Sequence, residues 1–232
     1  MDLKETKSTV ITTIISNKEG DRTYEIAKDI KGIDGKTAVV IMLYPGTSYK
    51  DMLKCDSTSQ AIINHCEELG ISKIRMVNLF SKVCSSRMST RNIEIDTENI
   101  AYIEGIMKEE NANSYYWIIG WGASMSASIV ANKSKYMILL KLQKHLPSAK
   151  PKQFMVDNID LQCEKGVHPL YLGIHCKNQV WTLQDYIIPK DILDNSKKKK
   201  ESKGEPKEDT SIKLVDKVKK SSNSRYIVQE KI

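Results

Sequence analysis

Short apolar runs alternate along the first three-quarters of the chain with segments whose apolar residues recur at helical spacing. Residues 8–15 (S-T-V-I-T-T-I-I) are rich in β-branched side chains. After a polar turn at 16–21, residues 22–30 read as a second strand, so the pair predicts a hairpin. A turn at 32–36 leads into 37–43 (T-A-V-V-I-M-L), an unbroken apolar run of the kind buried on both faces of a parallel sheet. It stops at Tyr44-Pro45-Gly46-Thr47-Ser48, where proline and glycine open a loop.

Residues 59–69 place Ala61, Ile62, Cys66 and Leu69 at helical spacing, with Gly70 as the C-terminal cap. The next strand is 73–80 (K-I-R-M-V-N-L-F), followed by a long polar loop over 81–95. Asp96 or Thr97 caps a helix reaching about Glu110, with Ile100, Ile103, Ile106 and Met107 on one stripe. A third buried strand is expected at 115–121, a helix at 124–146 and a fourth strand at 153–156. Strands alternating with helices predict an α/β fold. The expected form is a three-layer α/β/α sandwich around a central, mainly parallel four-stranded sheet, preceded by the β-hairpin.

Charge divides the chain. The formal charge of +7 would suit a nucleic-acid binder, but residues 195–232 hold twelve Lys or Arg against six Asp or Glu, so +6 of it sits there. That segment is poor in core-forming residues and predicts a disordered basic tail, with residues 1–194 as a single, nearly neutral domain. The run Lys197–Lys200 can hold phosphates by counterion release, or simply be solvated. No apolar run approaches the roughly 18 residues that span a bilayer, and no signal peptide is visible at the start. Cys55, Cys66, Cys84, Cys163 and Cys176 are scattered, without C-x-x-C spacing, which points to free thiols in a reduced, cytoplasmic protein. No motif calls for a metal or other cofactor.

The candidate chemistry gathers where strands end. Tyr44–Ser48, Asn78–Ser81 and Trp121–Ser124 all follow apolar runs, and in open α/β sheets ligands bind beyond the carboxyl ends of strands. His168 follows the fourth strand by a loop. Trp117 and Trp121 alternate on one run and also suit a core. Ser124 with His168 and an Asp would make a triad on paper, but G-W-G-A-S lacks the G-x-S-x-G elbow.

Four segments in order, L-Y-P-G-T (43–47), V-N-L-F (77–80), G-W-G-A (120–123) and H-P-L-Y-L (168–172), resemble domain-of-unknown-function family 1643, a bacterial and phage family. Its pattern runs N-P-S-T-A-D, V-N-L-F-A, W-G-A and G-H-P-x-H-P-L-Y-L. Asp56 and Thr58 also resemble its D-D-P-T element. The resemblance covers about Arg22 to Leu172. The family pattern is in turn similar to the uracil-DNA glycosylase superfamily, which implies a glycosylase-like fold and a nucleobase, nucleotide or DNA as partner.

On that likeness Asn78 reads the edge of a base and Phe80 stacks on it. Tyr44, Pro45, Gly46, Thr47, Trp121 and Gly122 complete the binding set. His168 is the catalytic candidate, donating to the base oxygen that gains charge as an N-glycosidic bond breaks. One departure stands out. The glycosylases carry Asp or Asn directly before the first-loop proline, and this chain has Tyr44, whose ordinary pKa of about 10 suits a general base poorly. Asp51 and Asp56 are the carboxylates next in line. Two readings follow: cleavage of an N-glycosidic bond, or nucleotide binding and sequestration without hydrolysis.

Overall fold

The computed structural model describes residues 3–48, 50, 53–84, 93–157, 166–190 and 192. Among the described residues one sheet of seven strands, in the order β1-β2-β4-β3-β5-β6-β7, forms the body of the fold. The strands are β1 (Thr9–Ser16), β2 (Thr23–Lys31), β3 (Lys36–Met42), β4 (Ile71–Asn78), β5 (Tyr116–Ile119), β6 (Lys152–Val156) and β7 (Trp181–Asp185). Connecting or following them are α1 (Ser57–Ile63), α2 (Thr97–Met107), α3 (Ile129–His145) and α4 (Pro169–His175).

The sheet is mixed. β3 pairs in parallel with β4 and β5, and β5 with β6, whereas the β1–β2, β2–β4 and β6–β7 pairs are antiparallel. This corrects the expectation of a four-stranded sheet with a separate hairpin. The hairpin is part of the sheet, because β2 lays Glu25–Asp29 against Lys73–Val77 of β4. β7 was not expected at all. Only Trp181 of its five residues is buried, so it carries too weak an apolar pattern to announce a strand.

Alternation along the strands builds two cores. Val39 and Ile41 of β3 face one side, with Val77 of β4 and Trp117 and Ile119 of β5, under Ile100, Ile103, Ile138 and Leu142 of α2 and α3. Ala38, Val40 and Met42 face the other, with Ile74 and Met76 of β4, under Ala61 and Ile62 of α1 and Leu172 of α4. The expected helices hold in place but not in extent. α1 ends at Ile63, and the chain continues to Gly70 through short-range bonds such as His65 N–H to Ile62 O. α3 starts at Ile129 rather than near Ser124, because Ser128 caps it and Met125 sits at φ 60°.

Among the described residues no helix is long and apolar enough to cross a membrane. The expected basic tail, 195–232, lies outside the described residues.

Candidate functional site

A cavity of about 260 Å³ opens beyond the carboxyl ends of β3 and β4, on the side of the sheet covered by α1 and α4. Its floor is apolar: Ile26, Met42 and Met76. Its rim is polar and comes from three loops, with Tyr44 and Thr47 after β3, Asp56 and Thr58 at the start of α1, and His168 at the start of α4. Asn78, the last residue of β4, lies opposite Met42 in the parallel register and also lines the cavity.

Asn78 is only 1% exposed. Its backbone carbonyl accepts a 2.6 Å hydrogen bond from Asn99 Nδ2 of α2, while its side-chain Oδ1 is buried without a partner. A buried polar atom left unpaired costs about 1–3 kcal/mol.

His168 is fixed by its role as N-cap of α4. Its Nδ1 accepts from Leu170 N–H at 3.2 Å, and Pro169 follows at the first helical position. An accepting Nδ1 leaves Nε2 to carry the proton of the neutral ring. Burial pushes the imidazole below its ordinary pKa of 6.5, with the Asp56 carboxylate pulling weakly the other way. The neutral, Nε2–H form is therefore the state held at neutral pH.

Asp56 has a structural duty. Its Oδ1 accepts from the backbone N–H groups of Thr58 and Ser59 at 3.0 and 2.9 Å, and Oδ2 accepts from Ser59 Oγ. Both oxygens are engaged in starting α1. The first loop is anchored at two carbonyls, Pro45 O accepting from Cys84 N–H at 3.0 Å and Thr47 O from Thr23 Oγ1 at 3.1 Å. Gly46 is exposed, and a Cβ there would meet nothing within 4 Å.

Tyr44, Pro45, Gly46, Thr47, Asp56, Asn78 and His168 thus line one cavity. Phe80, Trp121 and Gly122 do not. Phe80 (3% exposed) and Trp121 (1%) belong to the core on the opposite face, where Trp121 meets Tyr186 edge-on at 5.8 Å. A stacking role for Phe80 is replaced by a packing one. Gly122 acts one step back: at φ 68° its N–H donates to Gly166 O at 2.7 Å, and a Cβ on it would lie 3.1 Å from His168 Cβ. Asp51 lies outside the described residues.

Sequence reading missed Asn99, Met42, Met76 and Leu170. Met42 and Met76 carry only the signal of core strands, and Asn99 sits one turn into a helix with nothing to mark it.

Taken together, these features define a mixed α/β protein with a small strand-end cavity. The family model described as "Protein of unknown function (DUF1643)" matches residues 24–170, more than half of the chain, and the chain belongs to that family. No curated protein and no solved structure matches it.

Proposed function

We propose that the cavity recognises a nucleobase, either free, in a nucleoside or nucleotide, or extruded from DNA. The observation that carries this reading is that one cavity is lined both by Asn78, whose buried Oδ1 has no partner, and by the neutral His168. Asn78 Oδ1 requires a donor, and His168 Nε2–H offers one. A planar heterocycle with an N–H beside a C=O meets both needs, while Ile26, Met42 and Met76 supply the apolar surface such a ring needs. At about 260 Å³ the cavity falls just below the range typical of drug-sized ligands, as suits a single base.

The enzymatic form of the reading is N-glycosidic cleavage, in the manner of the uracil-DNA glycosylases that the motif order resembles. Neutral His168 would donate to the base oxygen as negative charge builds on it. A base within a duplex would first have to be extruded.

A second reading, binding without hydrolysis, draws on two observations. Tyr44 occupies the first-loop position of the glycosylase carboxylate, and both oxygens of Asp56 are committed to α1.

Incubation with uracil-containing and otherwise modified DNA, followed by assay for free base and alkali-labile sites, separates the two readings. A thermal-shift screen with bases, nucleosides and nucleotides tests what they share. A ligand at 100 times its Kd adds about 2.7 kcal/mol of apparent stability. Absence of any shift with every base, nucleotide and oligonucleotide would remove both.

A further inference from the structure

Among the described residues β1 is an unpaired edge of the sheet, and its eight residues T-V-I-T-T-I-I-S include no charge and no proline. Natural edge strands are usually protected from pairing by lysine, proline, brevity or a cover. Here Ile11 is 48% exposed, Val10 41% and Ile15 39%. The other edge is different: β7 has five residues, ends in Gln184-Asp185, and its Asp185 is paired with Lys152 at 2.6 Å.

We propose that β1 pairs antiparallel with β1 of a second copy of this chain, about a two-fold axis at Thr13. A two-fold perpendicular to a sheet keeps each side chain on its own face, so residues pair with others of the same parity. Two central registers meet this condition. An axis at Thr12 sets Ile11 against Thr13 and Ile15 against Thr9. An axis at Thr13 sets Ile11 against Ile15 twice and Thr13 against Thr13, joining four exposed isoleucines in one apolar patch.

Charge beyond the strand is complementary in this register. With the axis at Thr13, Lys7 approaches the turn of the other copy that bears Glu19. Lys7, which pairs with Glu5 at 2.7 Å within its own chain, is exposed and available to that turn. The irregularity at Ile15/Ser16 limits the pairing to the strand itself. An interface this small makes a weak, reversible dimer.

Sedimentation velocity of the full chain, from low to several hundred micromolar, reads it directly. The expected result is a monomer–dimer equilibrium that Ile11→Lys or Ile15→Lys weakens at least tenfold, with circular dichroism and melting temperature unchanged. Under mild oxidation Thr13→Cys should give an intermolecular disulfide above the wild-type background, and Thr12→Cys should not. A monomer at all concentrations overturns the proposal. So does a dimer indifferent to Ile11→Lys, or one that forms only after residues 195–232 are removed, which would assign the edge to the tail.

Discussion

Gly122 abuts His168: a β-carbon on this glycine would sit 3.1 Å from the histidine Cβ, and Gly122 is held at φ 68°. The loop after β5 therefore sets where the imidazole stands. Gly122→Ala meets two costs, the left-handed backbone, about 1–2 kcal/mol for a residue with a Cβ, and a contact tighter than ordinary packing. The expected outcome is a stability loss of that order in urea denaturation, together with weaker base binding by calorimetry. An alanine variant with wild-type stability and affinity would show that the contact is slack.

Gly166 is the matching constraint on the other side. It sits at φ 64°, and a Cβ there would lie 2.6 Å from Ile119 Cγ2 and 3.1 Å from Ile119 O. A backbone atom yields less readily than a side-chain tip, so Gly166→Ala should destabilise more than Gly122→Ala. Parallel denaturant melts would check the order, and a reversal would mean that the 166–168 segment shifts freely.

Asn78 allows stability and function to be separated. A buried asparagine whose side chain is fully hydrogen-bonded loses stability when replaced by an apolar residue. Asn78 Oδ1 has no partner to lose, and the bond from Asn99 Nδ2 is accepted by the backbone carbonyl. Asn78→Leu is therefore expected to keep or raise the melting temperature while abolishing any base binding. Binding that survives the substitution would sink the recognition role, and a loss of about 1–3 kcal/mol in stability would show that the amide is satisfied in the folded protein.

Much of this arrangement was legible in the sequence because strand ends carry chemical punctuation. Y-P-G-T, N-L-F and H-P each mark a strand end or a loop, and Tyr44–Thr47, Asn78 and His168 from them meet at the cavity. Face was harder to read. Phe80 lies two residues past Asn78, beyond the regular strand, where its backbone N–H bonds Leu43 O and its ring enters the core opposite the cavity. Period-two alternation assigns a side chain only while the strand lasts. β7 escaped notice because only Trp181 of its five residues is buried and Gln184 and Asp185 are exposed. Asn99 could not be found either, since its partner is a backbone carbonyl 21 positions away and no sequence pattern encodes that.

The histidine also predicts a pH dependence. Burial lowers the His168 pKa in the folded protein below the 6.5 expected when unfolded. As pH falls through 6.5 the unfolded chain takes up its proton first, so this group's contribution makes stability decline below 6.5 and level off under the folded pKa. Above 6.5 it contributes no slope. His168→Asn keeps a side-chain oxygen at the N-cap and should remove that part of the acid-side decline. Nuclear magnetic resonance titration of the imidazole gives the direct reading. A folded pKa at or above 6.5 would contradict the neutral donor assigned to this residue.

Asp56 tests whether its carboxylate does chemistry or only architecture. Its two oxygens accept from Thr58 N–H, Ser59 N–H and Ser59 Oγ, and asparagine retains an oxygen able to cap the helix. Asp56→Asn should thus stay near wild-type stability, whereas Asp56→Ala, which loses the cap, should cost about 0.5–2 kcal/mol. If base release from DNA is detected, it should persist in Asp56→Asn, because a carboxylate engaged by three donors is a poor base for activating water. A hundredfold loss of release in a variant that melts like the wild type would instead make Asp56 the missing catalytic carboxylate, and with it the hydrolytic reading would displace simple sequestration.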